Sequence, residues 1–125
     1  MNWLLVGIGG GLGAMARHGV NTLVQRWLLD ATFPLGIFLI NVIGSAAIGV
    51  IAGLAATARV NISQEARTFV VVGVLGGFTT FSSFSLDTLT LIRGGHAGLA
   101  LWNVAGQVIL SLIAVALGYR VGSWL

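Results

Sequence analysis

Residues 76–85 read GGFTTFSSFS, set between VVVGVL at 70–75 and LDTLTLI at 86–92. Two adjacent glycines and a run of threonines and serines, interleaved with Phe78, Phe81 and Phe84, interrupt an otherwise apolar segment. The flanks are too long and too apolar for a surface loop. The segment therefore reads as a membrane helix that carries a weak, hydroxyl-rich spot at bilayer depth. Polar groups and irregular backbone persist there only where they pair, line a cavity or bind an ion.

The rest of the chain supports that reading. Of its 125 residues 57% are hydrophobic and only 7% charged, and the mean hydropathy is +1.01; a soluble domain carries roughly a quarter charged residues. The absence of cysteine excludes disulfides, thiolate metal sites and a catalytic thiol. His18 and His96 are too isolated to build a metal site. The net charge of +3 comes from six scattered arginines, which form no basic face for nucleic acid. The N-terminus offers Ala14-Met15-Ala16 as a small-residue cleavage site, but it lacks a basic leader and glycines dilute its apolar run, so it reads as a helix of the mature protein.

A bilayer core needs about 20 apolar residues per helix. Four segments qualify, near residues 3–24, 35–56, 66–92 and 97–121, making residues 1–125 a single four-helix membrane domain. Pro34, the only proline, stands just before the second helix, where a missing N–H costs little. The third segment, about 27 residues or roughly 40 Å, is longer than a straight span requires, so it can accommodate a break at Gly76-Gly77. Small residues recur at four-residue spacing in Gly9/Gly13, Gly49/Gly53, Gly73/Gly77 and Gly118/Gly122, the pattern of close helix packing. Four such helices enclose little, so a solute pathway calls for a second subunit.

With the N-terminus inside, Arg59, Arg67 and Arg120 face the cytoplasm, Arg26 and Arg93 face out, and Arg17 lies within the first helix. So balanced a distribution gives the positive-inside rule little to act on. Two readings follow: a single topology with a weak bias, or insertion both ways and an antiparallel pair.

Asn103, Gln107 and Ser111 form one helical stripe, and Thr80, Ser83 and Asp87 a second. Phe78, Phe81 and Phe84 form a third. The plain alternatives are hydrogen bonds between helices, worth about 0.6 kcal/mol each, and lipid contact for the rings. Freed carbonyls at a helix break suit a hard monovalent cation, while N–H groups, hydroxyls, amides and phenyl ring edges suit an anion. Arg17 adds an attracting charge, so the inventory favours an anion. Gly9 to Ala14 also fits the nucleotide-loop pattern G-x-G-x-x-A, but no strand precedes it and no βαβ unit follows. No nucleophile–base pair is evident, so no enzyme activity is expected.

GGGLGAMAR at 9–17, GIFLINVIGS at 36–45 and above all GGFTTFSSFS at 76–85 resemble the Fluc (CrcB-type) fluoride channels over nearly the whole chain. The resemblance implies an all-α integral membrane protein with four transmembrane helices per subunit, a break in helix three and an antiparallel dual-topology homodimer. It implies passive export of fluoride across the bacterial inner membrane, conferring fluoride resistance. It places a structural sodium ion at the dimer centre on the backbone carbonyls of Gly76 and Thr79, with Arg17 in the vestibule. Asn41, Phe81 and Phe84 would line the pore, with Thr80, Ser83, Asn103, Gln107 and Ser111 along the fluoride pathway. Ile37 stands where the family often has threonine, Asn103 where some members have tyrosine, and Asp87 where many have glutamate. The partners implied are fluoride, the lipid bilayer and a second copy of the chain, and no nucleic acid. The competing classes are a small dual-topology proton-coupled multidrug transporter, which needs an acid that helix one lacks, and a non-conducting membrane assembly protein.

Overall fold

A computed structural model describes residues 2–125. All its regular elements are helical among the described residues. Helix α1 spans Asn2–Trp27 and α2 spans Leu35–Ala56. Helix α3 covers residues 64–78, α4 spans Phe81–Arg93 and α5 spans Ala97–Trp124. Three stretches are long and apolar enough to cross a membrane: α2, the combined Gln64–Arg93 and α5. Helix α1 is 26 residues long, but glycines and the Arg17-His18 pair dilute its hydropathy. It runs beyond the expected residue 24, and α5 beyond 121, each ending on an exposed tryptophan. Trp27 and Trp124, with Trp3 at the start of α1, sit where indole rings favour the membrane interface.

The helices associate as two parallel pairs. Helices α2 and α5 share the most extensive contact, and α1 packs along α3. The four glycine pairs of the sequence lie on these two seams. An added Cβ on Gly49 or Gly53 would collide with the α5 backbone at Val115 and Tyr119, and one on Gly118 or Gly122 with the α2 backbone at Ala46 and Val50. On the other seam, Gly9 and Gly13 of α1 meet the α3 backbone at Phe69 and Val74, and a Cβ on Gly77 would come within 2.9 Å of Gly10 Cα. In lipid no hydrophobic force drives helices together, so association depends on this close backbone approach.

Helix α3 is irregular in two ways. It begins at Ser63, whose hydroxyl accepts from Ala66 N–H at 3.1 Å, then widens to a π-helix over Thr68–Leu75. Such π segments are uncommon and concentrate at functional sites. The chain next leaves the helix, but not at the glycine pair. Gly76 and Gly77 remain helical, and the extended backbone falls at Thr79 (ψ 156°) and Thr80 (φ −155°, ψ 117°). Gly77 serves the seam with α1, and the interruption is held by side-chain capping. Thr80 Oγ1 accepts from Ser83 N–H at 3.2 Å and restarts the helix as α4. A turn at Gly94-Gly95, where Gly95 has φ +81°, joins α4 to α5.

Candidate functional site

The break exposes backbone groups that an unbroken helix would use internally, and Asn41 of α2 takes them. Its Oδ1 accepts from Thr80 N–H at 2.9 Å, while its Nδ2 donates to Thr80 O at 3.1 Å. One side-chain amide thus satisfies both backbone poles of a residue at the interruption, as a buried peptide requires. Thr80 N–H would otherwise donate to Gly76 O, so the same contact releases the Gly76 carbonyl from its helical partner. Arg17 of α1 donates from Nη1 to Thr79 O at 3.2 Å, bringing a positive charge to the break.

Asn41 also donates from Nδ2 to Gln107 Oε1 at 2.7 Å. Gln107 Nε2 donates to Asn103 Oδ1 at 2.9 Å, and Asn103 Nδ2 donates to Thr88 Oγ1 at 3.0 Å. A continuous amide chain therefore runs from the break across α2 and α5 to α4. Asn103 is fully buried and Gln107 is 4% exposed.

Beside the break lies an open groove of about 430 Å³. Asn41, Thr80, Phe81, Phe84, Gln107 and Ser111 line it, with Gly76 and Thr79 at the interruption itself. Phe81 and Phe84 approach each other at 5.3 Å between ring centroids, inclined by 47°. Phe84 is half-buried, whereas Phe81 is 78% exposed on this single subunit. The groove thus combines amide and hydroxyl donors, ring edges and a nearby guanidinium, a set that can replace part of an anion's hydration.

A scan against protein-family models matches residues 4–119 to the family described as CrcB-like protein, Camphor Resistance (CrcB). The chain belongs to the CrcB family. Among curated relatives it is 50% identical over 118 residues to the fluoride-specific ion channel FluC 2 of Nitrobacter hamburgensis, with 94% of each chain covered. It is 47% identical over 120 residues to the fluoride-specific ion channel FluC of Thermus thermophilus, covering 96% of this chain and 94% of that one. A fluoride-specific ion channel FluC of Rhodopseudomonas palustris is 48% identical over 118 residues, 94% of each. Both the family and the apolar helices make this a multi-pass membrane protein.

Within this CrcB-family chain, six of the eight residues expected along the pathway meet in the groove, Asn41, Thr80, Phe81, Phe84, Gln107 and Ser111. The remaining two do not line it. Ser83 is engaged with Thr80 through its backbone N–H and its hydroxyl, and Asn103 lies behind Gln107 in the protein interior. Asp87, grouped with Thr80 and Ser83 by spacing, instead lines a separate pocket of about 140 Å³ under the α1–α2 connection, with Asn21, Gln25 and Thr32. Two polar residues join the arrangement without having been singled out. Ser45 lines the groove and donates to Asn41 O at 2.8 Å, and its place four residues after Asn41 was the available signal. Thr88 continues the Phe81/Phe84 stripe by one helical turn.

The carbonyl pair expected to hold sodium keeps free lone pairs, while the Arg17 guanidinium brings a positive charge to the same spot. Gly76 O has lost its helical donor, and Thr79 O takes one hydrogen bond from Arg17 while a carbonyl has two lone pairs. Oxygen donors of this kind match a hard cation.

Proposed function

We propose that this protein is a fluoride-selective ion channel that exports fluoride passively from the cytoplasm and so confers fluoride resistance. What carries the reading is the groove at the helix break, where donors and two phenyl rings converge in a chain whose relatives are named fluoride-specific ion channels. Fluoride is small and holds its water tightly, so a conducting path must offer several donors in place of that water. The Ser111 hydroxyl and the edges of Phe81 and Phe84 would do so directly, Asn41 Nδ2 and the Thr80 hydroxyl by exchanging their present partners Gln107 and Ser83 for the ion, and Arg17 would bias the entrance toward anions. Chloride is larger and would be rejected by width. Transport then follows the fluoride gradient and the membrane potential.

The working unit in this reading is an antiparallel homodimer. A groove open along one side, with Phe81 outward, needs a second subunit to close it, and the balanced arginines permit both orientations. A sodium ion at the centre of the pair would be held by the Gly76 and Thr79 carbonyls of both copies, supplying charge that ties the two breaks together. Purified protein in a sodium-free buffer should then retain a single sodium per pair of chains by elemental analysis; its absence overturns that assignment.

The deciding experiment is anion efflux from proteoliposomes under a valinomycin-driven potassium shunt, read with fluoride and chloride electrodes. Fluoride release without chloride release is expected. Release of neither ion, or of both alike, overturns the proposal.

A further inference from the structure

The amide chain has a direction, and irreversible groups fix both of its ends. At one end stands the Thr80 backbone N–H, which can only donate. It lies 2.9 Å from Asn41 Oδ1, so the amino group of Asn41 is turned to Thr80 O and Gln107. At the other end stands the Phe84 carbonyl, which can only accept, and the Thr88 hydroxyl donates to it at 2.8 Å. A hydroxyl has one hydrogen. With that hydrogen committed, Thr88 Oγ1 is left as an acceptor, and Asn103 Nδ2 donates to it at 3.0 Å. Asn103 Oδ1 then faces Gln107 Nε2, and Gln107 Oε1 faces Asn41 Nδ2.

Reversing Asn103 or Gln107 alone would set donor against donor at one contact and acceptor against acceptor at the other. Water does not repair such a mismatch where Asn103 is 0% and Gln107 4% exposed. The two anchors are the polarity references, and they agree.

We infer that Thr88, acting through Asn103 and Gln107, is a positioning residue for the ion pathway: it locks the amide chain so that Gln107 keeps its acceptor on Asn41 Nδ2 and holds the Asn41 side chain in place beside the groove. The inference rests on the fluoride-channel reading above. Its consequence concerns selectivity. With the lock gone, a reversed Gln107 would set its amino group against that of Asn41, push Asn41 off the Thr80 peptide and disturb the groove lining that selects the ion. Thr88 is not among the groove-lining residues, so its effect on the ion passes along the chain or through its bond to the Phe84 carbonyl, and Asn103→Leu, which leaves that bond intact, separates the two. Asn103, in this role, orients and does not ligate.

The test compares wild type, Thr88→Val, Thr88→Ser and Asn103→Leu in proteoliposomes, reading both fluoride efflux and the fluoride-to-chloride ratio. Valine keeps the shape of threonine without the hydroxyl, serine keeps the hydroxyl, and leucine removes the next link. Thr88→Val and Asn103→Leu should lower fluoride efflux about tenfold or more and narrow the ratio, with Thr88→Ser within about threefold of wild type. If Thr88→Val does not yield folded protein by size exclusion, Asn103→Leu decides. A conducting wild type with both variants unchanged, or slowed with the ratio intact, overturns the polarity lock and leaves the channel standing. A wild type that releases no fluoride overturns the channel reading and this inference together.

Discussion

Asn41 commits both of its amide hydrogens and its oxygen at one place, closing both backbone poles of Thr80 and reaching Gln107. Its loss would uncover a peptide at membrane depth as well as remove a donor from the groove. Asn41→Leu is therefore expected to cut fluoride efflux by at least about tenfold, and to destabilise the fold by about 1–3 kcal/mol, the cost of leaving buried polar groups unpaired. Efflux assays and thermal unfolding in detergent check the two effects separately. Phe81 differs in kind. It is exposed on the single subunit and packs chiefly on Phe84, so Phe81→Ile should leave expression and thermal stability nearly unchanged while abolishing fluoride flux. Retained flux would remove the ring from the pathway and favour a non-conducting assembly role.

At the scale of elements, the molecule is two glycine-seamed parallel pairs, one of which contains the interrupted helix. The seams make sharp demands. Gly118 meets the Ala46 and Val50 backbone, so Gly118→Ala would force α2 and α5 apart. A cost of about 1–3 kcal/mol is expected, seen as a lower midpoint of thermal aggregation. Gly98, near the start of α5, has no atom within 4 Å of its would-be Cβ. Gly98→Ala should change that midpoint little, within about 0.5 kcal/mol, because surface positions away from special features tolerate substitution. The interrupted helix obeys a different rule. Its backbone departs from helical geometry at Thr79–Thr80 because Asn41 and the Thr80 cap satisfy the groups set free, whereas Gly76 and Gly77 stay helical, Gly77 against α1. Thr80→Val, which removes the cap, should therefore weaken the start of α4 by about 1 kcal/mol.

For the whole molecule, assembly turns on orientation. The proposed antiparallel pair requires half of the chains to insert each way. The chain contains no cysteine, so a single introduced thiol reports its own position cleanly. Asn61→Cys, in the exposed α2–α3 connection, should react with a membrane-impermeant maleimide in about equal measure from the two sides of the membrane, as near-balanced charge implies. Labelling from one side alone would replace the antiparallel pair with a single topology.

Much of this protein is written in its linear order. The spans follow from apolar length, the seams from glycines four residues apart, and the ion site's neighbourhood from hydroxyls clustered among rings in a segment that should hold few polar groups. These are local or periodic signals, and hydrocarbon leaves few alternatives to the helix for the backbone. The stripe at Asn103, Gln107 and Ser111 was equally legible, but not its division of labour. Gln107 and Ser111 reach the groove while Asn103 turns inward, because α4 meets Asn103 through Thr88, a contact that spacing does not encode. Likewise the glycine pair marked the weak region, yet the interruption lies where a side chain from another helix meets the backbone. Sequence alone determined the helices, their close faces and the kinds of groups available for an ion. Only the tertiary structure decided which of those groups meet, since a hydrogen bond between residues 41 and 107 depends on geometry across helices and leaves no periodic trace in the chain.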